Sequence, residues 1–188
     1  DFQLVSAYEV DRRHHAHPQP CLEQGQGFEN VGDKTLFWYG PWRGGFICVA
    51  RWPRDRIGYF EVVPEPKQHL GKDAGLAAVG IEFEKTAPHC ISCPVHLNGR
   101  PVRAFVNADG LSKAAQLRVE LLDLQLRPID GYSGDACVSL VESGLRQGVT
   151  WRNADRLNGR QDPVRLKVTW EGGRWEDAYL YAAYLEHV

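Results

Sequence analysis

The sequence predicts an all-β fold, namely an antiparallel β-sandwich of the jelly-roll or concanavalin-like type preceded by an N-terminal β-meander. Three observations predict this class. Polar and apolar side chains alternate with a period of two in several segments, the connections are short and rich in turn residues, and no intervening segment has helical periodicity. Closely spaced short strands joined in this way are typical of antiparallel sandwiches and barrels rather than of βαβ folds.

The candidate strands are bounded by Gly, Pro, Asn or Asp. In chain order they are TLFWY, GFICVAR, GYFEVV, GLAAVGIEF, CPVHL, PVRAFVN, QLRVELLD, PVRLKVTWE and AYLYAAYL. The turns between them include NGR, NADG, IDGYSGD, LNGR and EGGRWED.

The alternation is clearest in PVRLKVTWE, which we expect to be a half-buried strand. Its apolar face carries Val164, Leu166, Val168 and Trp170. Its polar face carries Arg165, Lys167, Thr169 and Glu171. The same pattern recurs in QLRVELLD, with Leu117, Val119 and Leu121, and in PVRAFVN, with Val102, Ala104 and Val106.

TLFWY is different, because both of its faces are apolar. Leu36 and Trp38 share one face, while Phe37 and Tyr39 share the other. We therefore predict a central strand that is covered on both sides.

The residue composition and the strand pattern of the chain change at PEPKQHLGKD. Before it the chain is rich in aromatic residues, His and Pro, and after it the regular alternating strands begin. We predict two parts: a β segment over residues 1–66 and a β-sandwich domain over residues 67–188.

Composition excludes several classes of function. The chain has 188 residues and a net charge of −2, with acidic and basic residues interspersed, so no surface for nucleic acid or anionic membrane is indicated. Its longest apolar runs are far below the roughly 18 residues of a membrane-spanning helix, and we expect a soluble protein. The chain has no signal-peptide pattern and no methionine, so we expect a mature or excised piece of a longer chain.

The cysteine count does not determine whether the protein belongs to an oxidising or a reducing cellular compartment. Five cysteines is an odd number, so at least one is unpaired unless it links to another chain. A secreted or extracytoplasmic location is favoured without being fixed.

A longer pattern resembles a known group of proteins. The order GDKTLFWYGPWRGGFICVARWPRDRIGYFEVVP, VNADG, LRVELLDLQLRPIDGYS, VTWRN, PVRLKVTWEG and AYLYAAYL resembles the C-terminal region of bacterial β-propeller proteins related to glycoside hydrolases. The first part resembles their last propeller blade, in which Arg54, Asp55 and Arg56 match an Arg-Arg-Asp-like turn. The second part is similar to their appended jelly-roll β-sandwich.

The resemblance implies an accessory module. In propeller glycosidases the catalytic carboxylates lie on inner strands of earlier blades, which this sequence does not contain. A single blade has unpaired edges, so the first segment is expected to pack on the sandwich or to pair with a partner.

Aromatic residues near the first strands are the candidate sugar contacts. Trp42 follows Pro41 in a turn beside Arg43, and a loop-borne indole next to a guanidinium suits the apolar face and hydroxyls of a pyranose. Trp38 and Tyr39 are candidates for which core packing is favoured. Trp52 is a further candidate of the same kind.

Metal and cofactor sites are not predicted. His15 and His17 could bind a metal with Glu23, but a solvated loop is favoured for RRHHAHP. Cys90 and Cys93 resemble half a zinc site, but packed free thiols or one incidental disulfide are favoured.

Acidic residues in or near turns allow no catalytic assignment. They are Glu29, Asp33, Glu61, Asp109, Asp135 and Asp177. Glycoside hydrolysis needs two carboxyl groups at a defined separation, which sequence spacing does not show. A structural calcium at Asp109 or Asp135 is the cofactor left open.

Three functions therefore stand as hypotheses. The leading one is a non-catalytic, carbohydrate-associated β-sandwich module of a glycoside-hydrolase-like protein, with glycan binding by Trp42 and Arg43. The second is a part of a glycoside hydrolase or polysaccharide lyase whose catalytic acids lie in other blades. The third is an interaction module that pairs through β-strands with the remainder of a larger protein or with another subunit.

Overall fold

The computed structural model describes residues 22–41, 47–62 and 87–188. Contacts divide the chain into two compact units, Asp1–Tyr59 and Phe60–Val188. The regular structure of the described residues is nearly all antiparallel β-strand, which confirms the predicted all-β, antiparallel class. No helix in these ranges is long and apolar enough to cross a membrane. The predicted boundary at PEPKQHLGKD lies outside the described residues.

Among the described residues of the first unit, three strands form an antiparallel meander in the order β1-β2-β3. Their bounds are β1 Leu22–Val31, β2 Lys34–Pro41 and β3 Cys48–Pro53. A two-residue turn of Gly32 and Asp33 joins β1 to β2, and Gly32 adopts a left-handed φ of 58° that favours glycine. TLFWY lies in β2, which pairs with a strand on each side, as predicted for a central strand.

In the described part of the second unit, residues 60–62 and 87–188, six strands form two antiparallel sheets. The strands are β4 His89–Ile91, β5 Val102–Asp109, β6 Gln116–Leu122, β7 Gly144–Gly148, β8 Arg165–Glu171 and β9 Tyr179–His187. One sheet has the order β4-β8-β6 and the other β7-β5-β9. Two single-turn 3₁₀ helices lie in the connections, at Gly134–Ala136 and Trp175–Asp177.

The inward faces of these two sheets share one apolar core. Its members from β5, β6 and β8 are the alternating residues Val102, Ala104, Val106, Ala108, Leu117, Val119, Leu121, Leu166, Val168 and Trp170. Full burial of one such aliphatic or aromatic side chain stabilises the fold by about 1.5–3 kcal/mol. The buried indole of Trp170 also donates a hydrogen bond of 2.9 Å to the carbonyl of Ala178, so its polar atom is satisfied.

Two residues on the face predicted to be polar are buried instead. Glu120 on β6 is 6 % exposed and Thr169 on β8 is 2 % exposed. The carboxylate of Glu120 accepts a hydrogen bond of 2.9 Å from the N–H of Gly134 and lies 3.0 Å from the ammonium of Lys167. Period-two alternation identifies the two faces of a strand, but it does not show that a later loop will contact the polar one.

Other strands differ from the sequence prediction in extent. In CPVHL only Val95 forms a bridge, to Val164. In the described residues of GYFEVV, 58–62, only Phe60 does, to Leu180. The strands β1, β4 and β7 were not predicted, because they are polar or short and carry little apolar alternation. GLAAVGIEF lies outside the described residues.

Candidate functional site

A shallow groove lies on the outer face of the β7-β5-β9 sheet. Its volume is about 400 Å³, within the range of sites that take small ligands. The groove is lined by residues of all three strands, of the loop after β7 and of the segment after β9. They are Arg103, Ala104, Phe105, Arg146, Gly148, Val149, Thr150, Asp155, Glu186, His187 and Val188. All of these residues belong to the second unit.

Strand β5 supplies the floor of the groove. Its alternate residues Ala104 and Val106 point into the core, so Arg103 and Phe105 point outward. Across the sheet, Phe105 lies opposite Gly148 of β7, and Arg103 lies opposite Glu186 of β9. Because the core fixes the inner face of the strand, the outward side chains have a rigid support.

Phe105 and Arg146 form the centre of the groove. The guanidinium carbon of Arg146 lies 3.8 Å from the centre of the Phe105 ring, a cation–π contact. The same guanidinium donates to both carboxylate oxygens of Glu186, from Nε at 3.2 Å and from Nη2. A planar guanidinium held on an aromatic ring by a bidentate carboxylate has little freedom to rotate.

A second ion pair lies on the same face. Nη2 of Arg103 donates to Oδ2 of Asp155 at 2.9 Å, and both side chains are at least half exposed. The groove therefore carries two guanidinium groups, each with its own carboxylate, on the same face as the half-buried ring of Phe105.

Gly148 keeps the groove open beside the ring. A Cβ atom built on Gly148 would have no atom within 4 Å. Its φ lies outside the left-handed region, so backbone geometry does not require glycine there. The space next to Phe105 thus exists because the cross-strand position has no side chain.

The chemistry of this face suits a polyhydroxylated ligand. An aromatic ring supplies apolar surface for the C–H face of a sugar ring, and guanidinium groups donate hydrogen bonds to hydroxyl oxygens. Carboxylates accept hydrogen bonds from hydroxyl groups. All three kinds of group are present in the groove within one sheet.

The aromatic candidates from the sequence lie in the first unit. Trp42 and Arg43 are outside the described residues. Tyr39 is buried, at 3 % exposure, and its ring stacks with that of Phe37 at 6.2 Å. Trp52 is half-buried, with its ring centre 6.4 Å from that of Phe37.

Trp38 is also half-buried, but it lies on the other face of β2 from Tyr39. Trp52 lies opposite Thr35 in the register, on the face that also carries Phe37 and Tyr39. The structure therefore groups Tyr39 and Trp52 on one face of the meander and separates Trp38 from them.

The turn that carries Arg54, Asp55 and Arg56 has a structural role in the first unit. Asp55 has a φ of 58°, and its N–H donates to Oγ1 of Thr35 at 2.6 Å. Its carboxylate accepts a bond of 2.7 Å from the amide of Asn30, whose Oδ1 accepts one of 2.6 Å from Thr35. These bonds fasten the turn after β3 to the β1–β2 hairpin.

The metal candidates are not brought together among the described residues. No group of three His, Cys, Asp or Glu side chains there could hold a metal ion. Cys90 and Cys93 are free thiols; Cys90 packs against the core and Cys93 is exposed. Burial raises the pKa of Cys90, which disfavours the thiolate that a metal would need. His15, His17 and the side chain of Glu23 lie outside the described residues.

The calcium candidates are in ordinary turn geometry. Oδ1 of Asp109 accepts a bond of 3.0 Å from the N–H of the next residue, Gly110. Asp135 lies in the first 3₁₀ helix and is exposed. The contact of Asp109 is ordinary turn chemistry that needs no cation to explain it.

The residues of the groove were not identified from the sequence. Phe105, Arg146, Asp155 and Glu186 are spread over more than 80 positions, and no motif joins them. One local feature could have pointed to them: in PVRAFVN the outward positions include Phe105 next to Arg103, an aromatic side chain on a face predicted to be polar.

Comparison with known proteins assigns no family. No protein-family model, no curated protein and no solved structure matches this chain. The relation to propeller-type proteins expected from the sequence therefore depends on the strand and turn pattern alone.

Proposed function

We propose that this chain is a non-catalytic, carbohydrate-associated β-sandwich module that binds glycan in the groove of the β7-β5-β9 sheet. The observation that carries the proposal is the Phe105 ring with the Arg146 guanidinium 3.8 Å from its centre and Glu186 fixing that guanidinium. The arrangement is the same in kind as the site expected from the sequence at Trp42 and Arg43, an aromatic ring beside an arginine.

The rigidity of the groove supports binding. Side-chain groups that are already ordered lose little conformational entropy when a ligand arrives. Arg146 is held by a ring contact and two hydrogen bonds, and Arg103 by Asp155. The hydrogen-bonding groups are thus positioned before a sugar is present.

The exposure of the acidic groups supports a non-catalytic role. General-acid cleavage of a glycoside uses a carboxyl group whose pKa is raised by burial in an apolar pocket. The side chains of Asp155 and Glu186 are 61 % and 48 % exposed, in a shallow groove. We therefore propose binding without turnover.

A glycan array tests the proposal. The fluorescently labelled full chain is expected to bind at least one oligosaccharide class, and Phe105→Ala is expected to weaken that binding at least about tenfold, or about 1.4 kcal/mol. Leu124→Ala is the matched control, because Leu124 is an exposed apolar residue of the same unit outside the groove. A blank array, or equal binding by the wild type and Phe105→Ala, would reject the groove as a glycan site.

A second candidate function is association through the first unit. Its exposed apolar residues are Phe28, Val31, Ile47, Val49, Ile57 and Tyr59. Within the described part of the chain, β1 and β3 are the two outer strands of the meander, and outer strands can pair with another chain. We propose a second copy of this chain as the partner.

Light scattering over a range of concentrations tests this second candidate. A dimer is expected, and Val49→Lys on β3 is expected to shift it to monomer because a charged edge residue opposes strand pairing. A monomer at all concentrations would reject pairing between identical chains.

A further inference from the structure

We propose that the groove selects uncharged saccharides over uronic or sulfated ones. This inference rests on the proposed glycan-binding function and adds the class of ligand. It follows from how the charges of the groove are paired.

The charged side chains that form contacts in the groove are balanced in two pairs. Arg103 is paired with Asp155, and Arg146 is paired with Glu186 through both carboxylate oxygens. Two positive and two negative groups therefore leave no net charge from these four residues. A site built to bind an anion would instead offer a cation without a carboxylate of its own.

An anionic sugar would gain a full ion pair with Arg103 or Arg146 only by displacing Asp155 or Glu186; without displacement its charge would lie beside theirs. The displaced Asp155 or Glu186 would stay attached to the rim of the same groove, close to the new negative charge. Like charges at short distance repel, and the ligand would gain one ion pair only by breaking another. The exchange gives no net electrostatic advantage to a uronate or a sulfate.

An uncharged sugar neither breaks an ion pair nor adds a charge, because its hydroxyl groups both donate and accept hydrogen bonds. Arg146 uses Nε and Nη2 for Glu186, which leaves the donors of Nη1 for a sugar oxygen. Each carboxylate oxygen also has more than one lone pair, so Glu186 and Asp155 can accept from hydroxyl groups without leaving their arginines. Because the Arg146 guanidinium covers one face of the Phe105 ring, the apolar face of the sugar would reach the remaining surface of the ring through the open space at Gly148.

Calorimetric titration of the full chain distinguishes the two ligand classes. The probes are neutral hexasaccharides of β-linked glucose, xylose and mannose, and acidic hexasaccharides from polygalacturonate and heparan sulfate. All titrations are run in one buffer at one pH, so that the probes differ only in their own charge. We expect a neutral probe to bind at least about tenfold more tightly than any acidic one, with little change between about 0.05 and 0.5 M salt.

If the two ion pairs cause the preference for neutral sugars, a variant that removes the two carboxylates should reverse it. Asp155→Asn combined with Glu186→Gln leaves both guanidinium groups without a carboxylate, so acidic probes should gain at least about tenfold in affinity. The control is Glu142→Gln combined with Asp162→Asn, which makes the same change in net charge at exposed positions outside the groove. The control should bind as the wild type does.

The outcomes separate this inference from the function on which it rests. If the wild type binds acidic probes as tightly as neutral ones, or if the double variant gains nothing, charge selection is overturned and glycan binding survives. If neither class binds, the proposed function fails.

Discussion

The guanidinium of Arg146 lies 3.8 Å from the centre of the Phe105 ring while it donates to both oxygens of Glu186. The three residues belong to β7, β5 and β9, so one cluster spans the whole width of a sheet. Phe105 points outward because its neighbours Ala104 and Val106 lie in the core, and the pairing of β7 and β9 with β5 brings Arg146 and Glu186 to the same face.

Arg146→Lys is expected to weaken glycan binding about tenfold or more. Lysine keeps the charge but cannot reproduce the planar, bidentate contact or stack on the ring in the same way. The stability of the fold should change by less than about 1 kcal/mol, because the pair is exposed to solvent. Calorimetry measures the affinity and urea unfolding the stability. Arg152→Lys, at an exposed position outside the groove, is the control and should leave both unchanged.

Gly148→Val is expected to abolish binding without harming the fold. The position lies in a strand, its φ is not left-handed, and an added Cβ atom meets nothing, so the backbone tolerates a β-branched residue. The new side chain would fill the space beside Phe105. Gly148→Ala, which adds one carbon, should retain part of the affinity. Full binding by the valine variant would show that the sugar does not enter at this point.

Gly110→Ala is expected to destabilise the protein much more than Gly131→Ala. Both glycines have left-handed φ values, 68° and 79°, so both variants carry the same backbone strain of about 1–2 kcal/mol. At Gly110 the added carbon would also lie 1.8 Å from the carbonyl oxygen of Asp177, whereas at Gly131 it has no atom within 4 Å. Urea midpoints measure the difference, and equal midpoints would contradict the contact between the β5–β6 turn and the residues before β9.

Glu120→Gln is expected to flatten the acid side of the pH–stability profile. Burial alone would raise the pKa of Glu120, but the hydrogen bond from Gly134 and the nearby Lys167 outweigh it and lower the pKa below its usual 4.5. Because the folded-state pKa is lowered, the ionised carboxylate stabilises the fold above about pH 4.5. That stabilisation is lost as the pH falls through the folded-state value.

Urea unfolding between about pH 3 and pH 7 measures this effect. The variant should be less stable at neutral pH by about 1–3 kcal/mol, since Lys167 loses a charged partner, and it should lose less on acidification than the wild type. Asp123→Asn is the comparison, because hydrogen bonds from the backbone N–H and the side chain of Arg127 also lower the pKa of that carboxyl at an exposed loop. Parallel profiles for the wild type and Glu120→Gln would contradict the assignment.

Much of the fold could be predicted, because alternation is a local property of the chain. In PVRLKVTWE, which contains β8, the apolar residues Val164, Leu166, Val168 and Trp170 are all buried, as their spacing predicted. The central position of β2 followed in the same way from two apolar faces. Strand β7, with the sequence GLRQG, has no such alternation, and its place in the sheet depends on pairing with β5.

The groove could not be predicted, because its members meet only when the strands pair. Arg103 and Glu186 are 83 positions apart and lie opposite each other through the β5–β9 register. The burial of Glu120 has the same origin, since the loop at Gly134 reaches it from 14 positions away. Neither relation is encoded in spacing along the chain.

The sequence by itself determined which side chains face the core, because the pleat of a strand turns successive residues to opposite sides wherever the strand lies. Only the tertiary structure decided which outward side chains become neighbours. Register and strand order bring an arginine, a phenylalanine and a carboxylate from three distant segments into one groove.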